Sequence, residues 1–228
     1  MAAPSDNWIN AHSINSSHHT GEGVIIDIGT GDGRFVYQSA RQNPNKFYIG
    51  IDPNTRPLEK ISEKIHRKPE KGGAPNVLFI QAAVEELPSE LDGVANELHV
   101  HFPWGSLLRA VATGEFAVLK SLRRICSDEA LFEVVIGLDP ERDQTEIERL
   151  GLTPLSLEFI DEVLSPRYAA AGFEVIERGI LAPVEWPEFN TSWAKRLHGN
   201  ERRSITYLIA RAALQNKKID MLSPLASA

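Results

Sequence analysis

The chain has 228 residues, of which 42% are hydrophobic and 24% charged, and a formal net charge of −7. That length suits one well-buried α/β domain and is short for two. No apolar run approaches the ~18 residues of a membrane span, and the N-terminus lacks the basic-then-apolar layout of a secretory signal, so a cytoplasmic protein is expected.

Taken in order, residues 1–22 are polar, rich in Ser, Asn and His, and show no period. They read as a flexible segment ahead of a domain at 23–212, with a second flexible tail at 213–228. His18 and His19 have no partner ligand at usable spacing, and no metal is expected. Val24, Ile25 and Ile26 form a strand that ends in Asp27 and the ladder Gly29, Gly31, Gly33. A glycine-rich turn at a strand end takes positive φ angles and lets a ligand approach the backbone, while the next helix offers free N–H groups, so a nucleotide-like ligand is expected there. That helix reads over residues 34–43, with Phe35 and Ala40 inward and Asn43–Pro44 as its stop. The strand Phe47 to Ile51 then ends in Asp52 and Pro53.

Dinucleotide binders space such a ladder as G-x-G-x-x-G with an acid about 20 residues on. Here the pattern is D-x-G-x-G-x-G: the third glycine comes one residue early and Asp27 precedes the first. It resembles motif I of class I S-adenosylmethionine methyltransferases. That resemblance implies S-adenosyl-L-methionine as cofactor and S-adenosyl-L-homocysteine as product. It places Asp27, Gly29, Thr30, Gly31 and Gly33 at the methionine end, and Asp52 beside Pro53 at the ribose hydroxyls.

Residues 54–71 read as a second helix and its exit. Leu58, Ile61 and Ile65 would face the sheet, leaving Arg56, Lys60, Lys64, Arg67, Lys68 and then Lys71 toward solvent, interleaved with Glu59, Glu63 and Glu70. The third strand, Val77 to Ala82, leads to Ala83 and Glu85 or Glu86, candidates for the adenine contact. Strand four, Glu97 to Phe102, ends in Pro103 and Trp104. Ligands of open α/β sheets sit beyond the carboxyl ends of the strands, so this turn should border the reactive methyl. His99 and His101 share one strand face, and without a third ligand near them they are expected to be a packed or hydrogen-bonded pair.

The run Leu107 to Ile125 is helical with a break near Gly114, and Cys126 at its end is expected to pack rather than react. Strand five, Ala130 to Gly137, carries Glu133, which as a buried acid needs a partner. Ser156 to Gly172 reads as a helix kinked at Pro166, and Phe173 to Leu181 as strand six. A long connection holding Trp193, Lys195, Arg196, Arg202 and Arg203 precedes a final strand, Ser204 to Ala210; connections of that length tend to be functional. Seven strands with the last two consecutive predict a Rossmann-like doubly wound sheet, helices on both faces, closed by an antiparallel last strand.

With DIGTGDGR, FYIGIDP, RKPEKGG, HFPWGSLL, LFEVV and SWAKRL in this order, the chain from about Val24 to Ala210 resembles the aminoglycoside-resistance methyltransferases of the Kam and Npm type. These methylate N1 of an adenine in the decoding site of 16S rRNA on the 30S subunit. The resemblance implies that Trp104 and Trp193 stack on the flipped adenine, that Phe102 lies beside the cofactor, and that Ser192 and Thr191 shape the pocket. It implies rRNA phosphate contacts from Lys64, Arg67, Lys68, Lys71, Arg196, Arg202 and Arg203, and a Glu133–Arg203 pair. Glu63 and Glu201 stand where it would place basic residues. A monomer is expected. The F-P-W turn is also similar to that of tRNA guanine-N7 methyltransferases, whose extra Asp-Pro this chain lacks. An alternative of another class is a non-catalytic RNA- or ribosome-binding module.

Overall fold

The computed structural model describes residues 23–182 and 203–214. Its apolar runs become seven strands: β1 (Val24–Ile28), β2 (Phe47–Ile51), β3 (Val77–Ile80), β4 (Ala95–His101), β5 (Cys126–Ile136), β6 (Phe173–Leu181) and β7 (Ile205–Ala212). They form one sheet in the order β3-β2-β1-β4-β5-β7-β6. The first five pair in parallel, which requires a crossover between successive strands, whereas β7 runs antiparallel to both β5 and β6.

The crossovers are α1 (Arg34–Gln42), α2 (Glu59–Ile65), α3 (Gly105–Thr113), α4 (Phe116–Ile125), α5 (Gln144–Leu150), α6 (Leu157–Phe159) and α7 (Ser165–Ala170). The break at Gly114 is a left-handed cap (φ 67°) between α3 and α4, as its sequence position suggests. Between α6 and α7 the chain takes a π-helical turn, Ile160–Leu164. Pro166, which has no N–H to give to the preceding turn, stands two residues after its last residue, so the predicted kink coincides with a widened turn.

Period-two alternation distributes the core. Ile26, Leu98, Val100, Phe132, Val134 and Leu208 point to the side covered by α3, α4 and α7, where Phe132 packs on Tyr168 and Phe173. On the other side Ile25, Tyr48 and Val77 pack with Val36, Tyr37 and Ala40 of α1, as the helical spacing required. A second cluster on that side joins Phe102, Val135, Leu181, Ile205, Tyr207 and Ile209. Between these two clusters β4 presents only Glu97, His99 and His101.

Beyond shifts of a residue or two at strand ends, β5 and the segment after it depart from expectation. Strand β5 begins at Cys126, directly after α4, and passes through a bulge in which Glu129 has φ 61°. Cys126 is accordingly a strand residue; it is fully packed, and burial pushes its thiol up to about 12. Helix α5 has no counterpart among the predicted elements, because its sequence QTEIERL has only Ile147 and Leu150 to mark a face.

Candidate active site

The glycine ladder forms the turn between β1 and α1. All three glycines have positive φ (75°, 58° and 68°), and the Gly29 and Thr30 N–H groups donate to the Ile51 carbonyl, pinning the turn to the end of β2. A Cβ at Gly33 would lie 2.7 Å from the Phe79 ring and 2.8 Å from Leu58. At Gly31 the nearest atom to such a Cβ is 4.0 Å away, so this glycine borders open space, where a ligand can lie against the backbone.

Asp52 closes the other wall. Its Oδ2 accepts from the Gly31 N–H at 2.9 Å and its Oδ1 from the Asn54 N–H at 2.8 Å. Each oxygen keeps a lone pair for another donor, which suits the two hydroxyls of a ribose. Pro53 is exposed, and its carbonyl accepts from Gln81 Nε2. Beyond β3, Ala83 is half-buried in extended backbone and Glu85 is exposed in a short turn, Val84–Glu86.

At the end of β4 the chain turns sharply. Phe102 is buried yet left-handed (φ 50°), and its N–H donates to Val135 at 2.7 Å. For a bulky L-residue this conformation costs about 1–2 kcal/mol, and such strain persists where the surroundings enforce it. The turn delivers Trp104 to the N-terminal cap position of α3 with 49% of its surface exposed. The two aromatics are thus divided: Phe102 is held inside and Trp104 is presented outward.

Beneath these turns lies a buried polar group. Asp27 precedes the ladder and is 3% exposed. Burial raises its pKa against the opposing pull of His101, the Thr30 hydroxyl and His99. That hydroxyl lies near Asp27 but falls short of hydrogen-bond geometry. His101 Nε2 is 2.6 Å from Glu133 Oε1, and His99 Nδ1 is 3.7 Å from the same oxygen. Burial opposes charge on His99, yet Glu133 and Glu97 outweigh it and hold the imidazole well above its usual value. Glu97, despite its own burial, is drawn down to about 2 by His99 and Lys46.

Two expectations are corrected here. The histidine pair does have a third potential ligand nearby, because β5 sets Glu133 beside His99 in the sheet register. And Glu133 takes a histidine partner where Arg203 was expected. Glu133 stands opposite Ile209, whereas Arg203 precedes β7 altogether, so the two lie far apart along the strand. Arg203 is buried, and its guanidinium meets Asp143, the N-terminal cap position of α5. The sequence reading missed Asp143 because no local pattern marks it.

The basic residues are arranged differently from the cleft. Helix α2 carries the chain from the carboxyl end of β2 back to the amino end of β3, so its exit is displaced from the cofactor turn. Lys64 is half-buried with Nζ 4.6 Å from the centre of the Tyr37 ring, and Arg41, which the sequence reading overlooked, donates to the Tyr37 hydroxyl at 3.2 Å. Burial pushes the Tyr37 phenol up, but Lys64 and Arg41 outweigh it and hold it below its ordinary value. Arg67, Lys68 and Lys71 are exposed. They are folded back by Gly73, where a Cβ would fall 1.7 Å from the Arg67 carbonyl. Thr191, Ser192, Trp193, Arg196 and Arg202 lie outside the described residues, as do residues 1–22 and 215–228 of the expected flexible segments.

The sheet order, its antiparallel β7 and the glycine turn facing Asp52 define a class I S-adenosylmethionine-dependent methyltransferase. A family model described as "NpmA: 16S rRNA (adenine(1408)-N(1))-methyltransferase" matches residues 8–213, and the chain belongs to that family of RNA methyltransferases. A relative from Streptoalloteichus tenebrarius, named 16S rRNA (adenine(1408)-N(1))-methyltransferase, is 41% identical and covers 79% of this chain and 82% of its own. The crystal structure of the aminoglycoside resistance methyltransferase NpmB1 is 46% identical, with a TM-score of 0.74 over 84% of this chain and 87% of that one. A point mutant of the 16S rRNA (adenine(1408)-N(1))-methyltransferase from Catenulisporales acidiphilia, solved with cosubstrate SAM, is 31% identical, with a TM-score of 0.77 over 96% of each chain.

Proposed function

We propose that this chain methylates N1 of the decoding-site adenine of 16S rRNA on the assembled 30S subunit, and that it protects its host from aminoglycosides that bind there. The observation that carries the reading is the outward Trp104, delivered by the strained Phe102 turn at the carboxyl end of β4. A half-exposed indole beside a cofactor cleft offers a stacking face for a base taken out of its helix. Trp193 is assigned the opposite face, with Ser192 and Thr191 beside it.

The chemistry asks little of the protein. Bound S-adenosylmethionine supplies an electrophilic methyl on a sulfonium. The N1 lone pair of adenine is unprotonated at neutral pH and attacks without a general base. Gly29, Thr30, Gly31 and Asp27 hold the methionine end, Asp52 and Pro53 the ribose, and Ala83 and Glu85 the adenine of the cofactor. Phe102 closes the cleft beside the methyl. Extruding the target base costs a few kcal/mol, and stacking contributes roughly 1–3 kcal/mol per base in return. Orientation supplies the remainder, an effect that reaches about 7–11 kcal/mol in well-aligned reactions.

Lys64, Arg67, Lys68, Lys71, Arg196 and Arg202 are assigned to rRNA phosphates, whereas Arg203, buried against Asp143, is assigned to holding the chain ahead of β7. The displacement of Lys64, Arg67, Lys68 and Lys71 from the cleft fits a large, folded substrate better than a short oligonucleotide. The enzyme is read as a cytoplasmic monomer; among the described residues no helix is long and apolar enough to cross a membrane. Tritium transfer from the cofactor tests the reading: 30S particles should be labelled, and free 16S rRNA and total tRNA should not. Preferential labelling of tRNA would move the substrate to the guanine-N7 class, and no labelling with intact cofactor binding would favour a non-catalytic binding module.

A further inference from the structure

Strand β4 is the centre of the sheet, yet on its α1-facing side it carries Glu97, His99 and His101 instead of apolar residues. Glu133 joins them from β5. We propose that His99, His101 and Glu133 form a binding site for a divalent transition-metal ion, for which zinc is the best chemical match.

The donor set comes first. Two imidazoles and one carboxylate suit zinc and its neighbours, whereas magnesium and calcium take oxygen donors. The three donor atoms all lie within 4.8 Å of one another. Glu133 Oε1 is 2.6 Å from His101 Nε2 and 3.7 Å from His99 Nδ1. An ion about 2.0–2.2 Å from each ligand needs donor atoms roughly 3.3 Å apart, so small side-chain rotations that lengthen the shortest edge and shorten the wider ones bring the triangle to that size.

The surroundings supply the rest of the pattern. While Nδ1 of His99 faces Glu133, its Nε2 lies 3.7 Å from Glu97 Oε2, and Lys46 Nζ holds Glu97 at 2.8 Å. A carboxylate behind the far nitrogen of a histidine is the arrangement that orients metal-binding imidazoles and raises their basicity. The Phe35 ring packs edge-on against both imidazoles, with centroids 5.3 and 4.8 Å away, and fixes their planes. All three ligands project from paired strands rather than loops. His101 directly precedes Phe102, so a bound ion would tie β4 to β5 under the turn that presents Trp104. Its role is structural, and no step of methyl transfer passes through it.

The test uses the full-length chain with any affinity tag removed, stripped with chelator and titrated with Zn²⁺ by calorimetry. Wild type should take up one equivalent in a saturable step, and the double variant His101→Gln/Glu133→Gln should lose that step while keeping its circular dichroism spectrum and cofactor binding. Glu97→Gln should weaken uptake by about tenfold. Co²⁺ added to wild type gives a second readout that does not depend on the double variant folding: intense visible bands of a four- or five-coordinate ion are expected. Equal zinc uptake by wild type and the folded double variant, which retains His18 and His19, would overturn the proposal. So would the absence of a saturable step in wild type, or a cobalt spectrum like that of the hydrated ion.

Discussion

The two halves of the cleft are built from different materials. On the β1–β2 side the shape comes from backbone: positive-φ glycines, N–H groups bonded to Ile51, and one carboxylate that fixes Gly31. On the β4–β5 side it comes from side chains: a strained Phe102, an outward Trp104, the contact of Glu133 with His101 and the ion pair of Arg203 with Asp143. A backbone site recognises what every methyltransferase of this fold must hold, because its shape depends on glycine more than on any particular side chain. A side-chain site can be rewritten one residue at a time, so it is the side to which the proposed function assigns the choice of substrate.

Substitutions on each side should therefore have separable effects. The largest is expected at the buried Asp143–Arg203 pair, whose side chains are 8% and 9% exposed. Breaking such a pair from one side costs about 3–5 kcal/mol. Asp143→Asn should lower urea stability by that order, with much of the loss recovered in Asp143→Leu/Arg203→Met; a loss under about 1 kcal/mol would show that the pair does not hold this side together.

Next comes Trp104→Ala. Losing one stacking face should slow transfer to 30S particles by about 10- to 100-fold, with cofactor affinity and thermal midpoint nearly unchanged. If cofactor affinity falls in parallel, the halves are coupled and the division fails. Asp52→Ala should act on the other half alone. Removing the carboxylate assigned to the ribose hydroxyls should weaken cofactor binding by about tenfold or more in calorimetry, while 30S affinity is retained. The smallest effects belong to the exposed Lys68 and Lys71. Each alanine substitution should reduce the salt dependence of 30S binding by about one counterion, and neither should alter cofactor affinity.

What could be read from the sequence follows the same division. The ladder and Asp52 were legible because glycine reports its own backbone constraint, and the strand-end acid follows a short apolar run. Leu58 and Ile65 were legible as buried through helical spacing, and β6 matched its apolar run from end to end. The start of β5 was not, since its first residues, Cys-Ser-Asp-Glu, carry no strand pattern, and Cys126 is placed by pairing with Ala95 of β4 ahead of the bulge. The paired polar side chains were least legible. Glu133 meets His101 across 32 residues and Arg203 meets Asp143 across 60, and only strand register and the order in which strands enter the sheet decide those partners. Assigning Glu133 to Arg203 matched two charges correctly in kind and wrongly in register.

The most direct test of the central claim is reverse transcription across the decoding site of 30S subunits incubated briefly with S-adenosylmethionine and either wild type or Trp104→Ala. N1 methylation blocks Watson–Crick pairing, so wild type should give a strong stop at the decoding-site adenine, and Trp104→Ala, with its cofactor binding intact, should give little or none in the same time. Normal read-through even after complete incubation with folded, cofactor-bound wild type, or an equal stop with both proteins, would contradict the account.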